Sequence, residues 1–408
     1  MGPAPRPGPR PLPLHLGLGA MRGWLSLATL PPSWAAWPSW SVAWPISKQG
    51  REEAARIADA LAAGGHGPEA FRAAVLRRLI RQDAALLDGI AAYRAHPYRR
   101  DLPDPPAIWA EGGSRLLDYG GSGPAVLLVP SLVNRAQVLD LMPGRSLMRF
   151  LAGAGTRALL LDWGTPGEAE RGFTLTDYVA GRLERALSAC PGPVVLAGYC
   201  MGGLLALAAA QRRPDRVRAL ALLAMPWDFH AGEGARQRAE GLAALLPLLE
   251  PVMRPGGALP VDAIQALFAG LDPFGIAAKF RAFARLDPAS DRAAQFVALE
   301  DWLNDGVPLV APVARECIGG WYGRNEPARG AWRIAGQAVD PHTLAMPAFV
   351  AVPARDRIVP PDSAKAVVPG LRQVKVHEAA AGHIGMTAGS GAERALWHPL
   401  LLWLRGLS

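Results

Sequence analysis

Residues 191–210 read Pro-Gly-Pro-Val-Val-Leu-Ala-Gly-Tyr-Cys-Met-Gly-Gly-Leu-Leu-Ala-Leu-Ala-Ala-Ala, and this short stretch restricts the fold more than any other. A β-forming run meets a glycine-flanked residue and passes at once into a helix-forming run. A strand can turn into a helix this sharply only if the residues two before and two after the tip are small, which is the pattern of a nucleophile elbow. Gly198 and Gly202 occupy those places, Gly203 follows, and Cys200 stands at the tip. A helix N-terminus favours an ionised thiol, and the backbone N–H of Met201 would point toward a developing oxyanion. A cysteine in such a turn can equally be an inert buried residue, so the rest of the chain has to decide.

Short apolar runs that suit strands covered on both faces recur at Ala125–Val129, 158–162, 194–198, 219–224, 348–352 and 374–376. Helical spacing lies between them, at 145–153, 175–187 and 202–213. Strand and helix alternating in this way predict a mostly parallel sheet with helices on both faces, here an α/β-hydrolase fold. Residues 226–346 carry helical patterns (237–249, 261–271, 291–302) but no convincing buried strand, and the stretch is too long for a loop. It is expected to form an inserted α-helical cap, leaving 106–225 and 347–408 as the core. Helical spacing also marks 51–105, while the proline- and tryptophan-rich residues 1–50 are expected to be an irregular arm.

In this fold the nucleophile, the acid and the histidine follow one another in that chain order, each after a strand. Asp356 lies in Pro353-Ala-Arg-Asp-Arg-Ile-Val-Pro, just past the 348–352 run, and His383 lies in Ala380-Ala-Gly-His-Ile-Gly, past the 374–376 run. Alone, each has an ordinary reading as a turn aspartate or a loop histidine; together with Cys200, in order, they form a triad. His96, His342, His377 and His398 lack the post-strand glycine setting, and Asp362 is expected to cap the helix after it. A second oxyanion donor is expected from the loop Pro130-Ser-Leu-Val-Asn-Arg, at the backbone N–H of Val133.

Cys190, Cys200 and Cys317 are too few and too scattered for a disulfide framework or a zinc pattern, which fits a reducing cytoplasm. No ligand cluster or dinucleotide fingerprint appears, so neither a metal nor a redox cofactor is expected. No apolar run is long enough to span a membrane. The formal charge of +8 is spread over scattered arginines with no dense basic tract; this argues against nucleic acid and suits an anionic substrate such as a coenzyme A ester.

These motifs resemble the polyhydroxyalkanoate (poly-3-hydroxybutyrate) synthases, most of all the short kind that works with a second subunit. The resemblance rests on Gly-x-Cys-x-Gly-Gly at 198–203, the Pro130 to Arg135 loop with Leu139-Asp-Leu-Met-Pro-Gly-Arg-Ser-Leu147, Leu161-Asp-Trp-Gly-Thr-Pro166, Leu175-Thr-Asp-Tyr178, Phe296-Val-Ala-Leu-Glu-Asp-Trp-Leu303, and the stretches around Asp356 and His383. The first 100 residues show little likeness, and Asn-Pro-Pro is missing after His383. The resemblance implies an acyltransferase that polymerises 3-hydroxyacyl-coenzyme A through an acyl thioester on Cys200, with Asp356 and His383 completing the triad. It also implies hydroxyacyl-coenzyme A and a growing polyester as partners, a second synthase subunit or a homodimer, and association with polymer granules. The same triad would serve a thioesterase, esterase or depolymerase, and a silent granule-associated relative would keep the fold alone.

Overall fold

A computed structural model describes residues 6–28 and 47–407. It divides into two units, and the larger comprises Tyr98–Leu271 with Ala298–Ser408. Its centre is an eight-stranded sheet: β1 (Ala107–Glu111), β2 (Ser114–Asp118), β3 (Ala125–Val129), β4 (Arg157–Asp162), β5 (Val194–Tyr199), β6 (Val217–Leu223), β7 (Ala348–Pro353) and β8 (Val374–Ala379), in the order β1-β2-β4-β3-β5-β6-β7-β8. Every pairing from β4 through β8 is parallel, whereas β1 and β2 form an antiparallel hairpin on one edge.

The continuous apolar runs follow from a sheet covered on both faces. Successive residues point to opposite sides, so Leu127, Val129, Val194 and Leu196 enter one core while Val126, Leu128, Val195 and Ala197 enter the other. The helix that follows β5, Met201–Arg212, is buried from Met201 to Ala210, and small alanines let it lie close against the sheet. Between β6 and β7 the chain is mostly helical (Ala235–Ala244, Leu246–Met253, Val261–Ala269 and others), with two two-stranded pieces at 258–259 with 309–310 and at 333–334 with 337–338.

The smaller unit joins Met1–Pro97 to Asp272–Val297. Its helices are Leu12–Ala28, Lys48–Ala63, Pro68–Ala95 and Gly275–Phe283. Tyr93 meets Phe280 edge-on at 5.7 Å, and Phe283 stacks on Phe296 at 4.3 Å. This corrects two expectations. The arm over 1–50 is helical at Leu12–Ala28, where aliphatic residues outweigh the proline signal; Trp34, Trp37, Trp40 and Trp44 lie outside the described residues. The insertion at 226–346 is not one body, because Asp272–Val297 groups with the N-terminal helices.

Asp140, in the segment after β3, is 1% exposed. Its carboxylate accepts hydrogen bonds from Arg100 (2.9 Å), Arg149 (2.8 and 3.0 Å) and Tyr119 (3.1 Å). Hydrogen bonds to a buried charge contribute about 1.5–3 kcal/mol each. Asp140→Ala should therefore destabilise the sheet unit by about 2 kcal/mol or more, read as a clear fall in thermal midpoint. Arg236→Ala, which removes an exposed pair with Glu240, should leave that midpoint almost unchanged.

Candidate active site

Cys200 ends β5 and begins the helix Met201–Arg212, with φ 55° and ψ −129°. An L-residue adopts such a backbone only where the surroundings enforce it. Here Cys200 N–H donates to the Leu223 carbonyl at 2.9 Å, extending the β5–β6 ladder, and Gly203 N–H donates to the Cys200 carbonyl at 2.9 Å. The glycines are required by close approach. A β-carbon at 198 would collide with the Gly202 carbonyl, one at 202 with the Val129 carbonyl, and one at 203 would lie 2.6 Å from Cβ of Met225.

Sheet register brings the other two side chains to the same edge. Pro353 of β7 pairs with Ala379 of β8, and the ladder runs on past the strand ends: Ala354 N–H donates to the Ala379 carbonyl (2.8 Å) and Arg355 N–H to the Ala381 carbonyl (3.0 Å). Asp356 and His383 follow within two residues. Asp356 Oδ1 accepts the N–H groups of Ile358 (2.8 Å) and Val359 (2.9 Å), which leaves Oδ2 facing His383 Nδ1 at 2.6 Å. The Asp356 side chain is fully buried and that of His383 is 8% exposed. The Cys200 side chain is the other polar group that acts on the ring. Burial alone would lower the basicity of His383, but its interactions with Cys200 and the hydrogen bond to Asp356 outweigh it and hold the imidazole up at about 10.

Asp362 does not cap its helix: it sits inside the first turn of Pro361–Lys365, where Pro360 holds the cap position. Tyr199 is a contributor that motif reading passed over. Its ring lies 5.1 Å from that of His383 and its hydroxyl donates to the His383 carbonyl at 3.3 Å. As the residue before Cys200 it points to the opposite face of β5, so strand alternation placed it behind the histidine loop.

The loop after β3 is pinned by three bonds. Trp163 Nε1 donates to the Pro130 carbonyl (3.0 Å), Trp302 Nε1 to the Arg135 carbonyl (2.7 Å), and Val307 N–H to the Val133 carbonyl (3.2 Å). Two of the motifs noted above, those containing Trp163 and Trp302, thus act on one loop. Val133 lines the same cavity as Cys200 and Met201, and its own N–H donates to Ser131 Oγ at 3.3 Å. That cavity measures about 160 Å³, and the chain between β6 and β7 supplies most of its lining, which is largely apolar.

The family model described as the alpha/beta hydrolase fold matches residues 124–248. Over 311 residues the chain is 29% identical to the poly(3-hydroxyalkanoate) polymerase subunit PhaC of Haloferax mediterranei, covering 72% of this chain and 62% of that protein. It is 29% identical to the subunit of the same name from Synechocystis (68% of this chain, 77% of that protein) and 28% identical to that from Allochromatium vinosum (68% and 80%). The resemblance drawn from the motifs is borne out, and with the sheet order it establishes the α/β-hydrolase fold.

Cys190 and Cys317 are buried, and burial pushes their thiols up, that of Cys190 to about 11. Iodoacetamide at neutral pH should therefore label Cys200 first, by at least tenfold in rate, as read by peptide mass mapping. In an NMR titration His383 should hold its ring proton well above pH 6.5 and release it as the pH rises toward about 10. Asp356→Asn should move that release to lower pH; an unshifted midpoint near 6.5 in the parent protein would contradict the arrangement.

Proposed function

We propose that this relative of the polymerase subunits is an acyltransferase that joins 3-hydroxyacyl units from coenzyme A thioesters into a polyester, with Cys200, His383 and Asp356 as its catalytic residues. The observation that carries this reading is a sulfur at a strained elbow, beside an imidazole that is held by a buried carboxylate at 2.6 Å. His383 takes the thiol proton, and Cys200 attacks the thioester carbonyl. The amides of Met201 and Val133 stabilise the tetrahedral oxyanion, Val133 by turning its N–H away from Ser131. Collapse expels coenzyme A as a thiol, protonated by His383, and leaves the acyl group on Cys200. His383 then deprotonates the hydroxyl of a second hydroxyacyl unit. The resulting oxygen nucleophile attacks the Cys200 thioester, forms an ester bond and returns the sulfur.

The choice of sulfur suits this sequence of steps. Exchange between thioesters keeps the acyl group activated, so ester formation runs downhill, whereas a serine would hold it as an oxygen ester with little left to drive transfer. Water competes for the same thioester. The apolar lining around Cys200 disfavours it, and the inserted helices between β6 and β7 act as the cap that keeps the cavity dry. The chemistry calls for neither a metal nor a redox cofactor. The reading also places the protein in the cytoplasm at polymer granules, working with a second subunit or a second copy of itself.

Purified protein given 3-hydroxybutyryl-coenzyme A should release coenzyme A and form oligomer. Cys200→Ala should lower this about a thousandfold or more, and Asp356→Asn should also impair it severely. Chelator should leave the rate unchanged. Release of free 3-hydroxybutyrate with no oligomer, in the presence and absence of added relatives' second subunits, would replace this reading with a thioesterase.

A further inference from the structure

Ser131 and Tyr322 carry the two side-chain hydroxyls on the wall of the cavity at Cys200, where most other lining residues, such as Leu242, Leu267, Phe268 and Ile318, are hydrocarbon. The Ser131 oxygen is engaged, because it accepts the Val133 N–H. The Tyr322 hydroxyl makes no hydrogen bond among the described residues. Tyr322 is also only half-buried, and its hydroxyl is not sealed into the protein as the Trp321 indole nitrogen is. A hydroxyl left open on an apolar wall is satisfied by what enters the cavity.

The ring is fixed in place. It meets Phe229 edge-on with centroids 4.8 Å apart, and the Tyr322 carbonyl accepts from His230 Nε2 at 2.8 Å. The segment that bears it, Glu316–Gly323, is wound as a wider π-helical turn, a geometry frequent at functional sites. Burial pushes the phenol up, and the thiols of Cys200 and Cys317, both on the cavity wall, act on it in the same direction. The hydroxyl is therefore within electrostatic reach of the nucleophile, and at neutral pH it keeps its proton and donates.

The part of a thioester substrate that enters a cavity beside the nucleophile is its acyl group. We propose that Tyr322 is a specificity residue whose O–H binds the oxygen carried on carbon 3 of the acyl unit at Cys200, so that the site takes 3-oxygenated acyl groups in preference to plain ones. This rests on the acyl-transfer reading above. Before chain growth the acceptor is the 3-hydroxyl; afterwards it is the carbonyl of the ester built on it. A plain acyl chain would set methylene against the phenol oxygen and leave it unpaired. A site built to hydrogen-bond a substrate oxygen rejects the analogue lacking it far more strongly than an apolar pocket rejects a small change in size.

The test is the rate at which Cys200 becomes acylated, followed by intact-protein mass spectrometry in single-turnover mixing with 3-hydroxybutyryl-coenzyme A or butyryl-coenzyme A. The parent protein should react about tenfold or more faster with the hydroxylated substrate. Tyr322→Phe removes one oxygen and keeps the ring against Phe229; it should lose that advantage while its butyryl rate stays within about twofold. Equal losses with both substrates would mean that the ring only packs, and would overturn the proposal. So would a parent protein that is acylated equally fast by both, a result that leaves acyl transfer standing and needs no variant to fold. If neither thioester acylates Cys200, acyl transfer itself is refuted, and this assignment goes with it.

Discussion

The backbone at Cys200 is the constraint on which the site depends. Its positive φ turns the chain from strand to helix in one residue and holds the sulfur out at the sheet edge. Nothing about an isolated cysteine favours that conformation. It persists because Gly198, Gly202 and Gly203 let the strand, the helix and the neighbouring β3 and β6 segments close to distances that any side chain would prevent, and because the Cys200 amide is tied into the β5–β6 ladder. Strain at one residue is thus balanced by packing and hydrogen bonds made by several others.

Once the elbow is set, the remaining chemistry is a matter of register. Asp356 and His383 leave adjacent parallel strands whose pairing continues past their ends, so the two side chains meet without a dedicated loop fold. Asp356 gives one oxygen to two backbone amides and the other to the imidazole. That division fixes its direction, and with it the ring nitrogen left for the sulfur. Tyr199 backs the histidine from behind. Beyond Cys200, the indoles of Trp163 and Trp302 hold the loop bearing Val133. The site is therefore positioned mainly by main-chain ladders and by a few buried donors acting on main-chain carbonyls.

The central strands and the places of Cys200, Asp356 and His383 at their ends were legible because each carries a strong local signal: an apolar run bounded by turns, then a distinctive residue at its end. The edge hairpin β1–β2 was not, since Arg115 and Glu111 interrupt its pattern and its burial is uneven. Leu12–Ala28 was hidden by the prolines around it. The helix Gly275–Phe283 and the grouping of Asp272–Val297 with the N-terminal helices depend on tertiary contacts between distant parts of the chain, such as Tyr93 with Phe280, to which periodicity is blind. Asp140 stood inside a recognised motif, but its role emerges only when Arg100, Arg149 and Tyr119 converge on it. Val133 was found as a cavity residue, while the engagement of its amide by Ser131 is a detail of loop geometry.

The account stands on the sulfur of Cys200 carrying the acyl group. Quenching a reaction with radiolabelled 3-hydroxybutyryl-coenzyme A in acid and mapping the labelled peptide addresses this directly. Label released by neutral hydroxylamine and confined to the peptide containing Cys200 is the expected result. Label on any other residue, or rapid turnover with no covalent intermediate and full activity in Cys200→Ala, would contradict it.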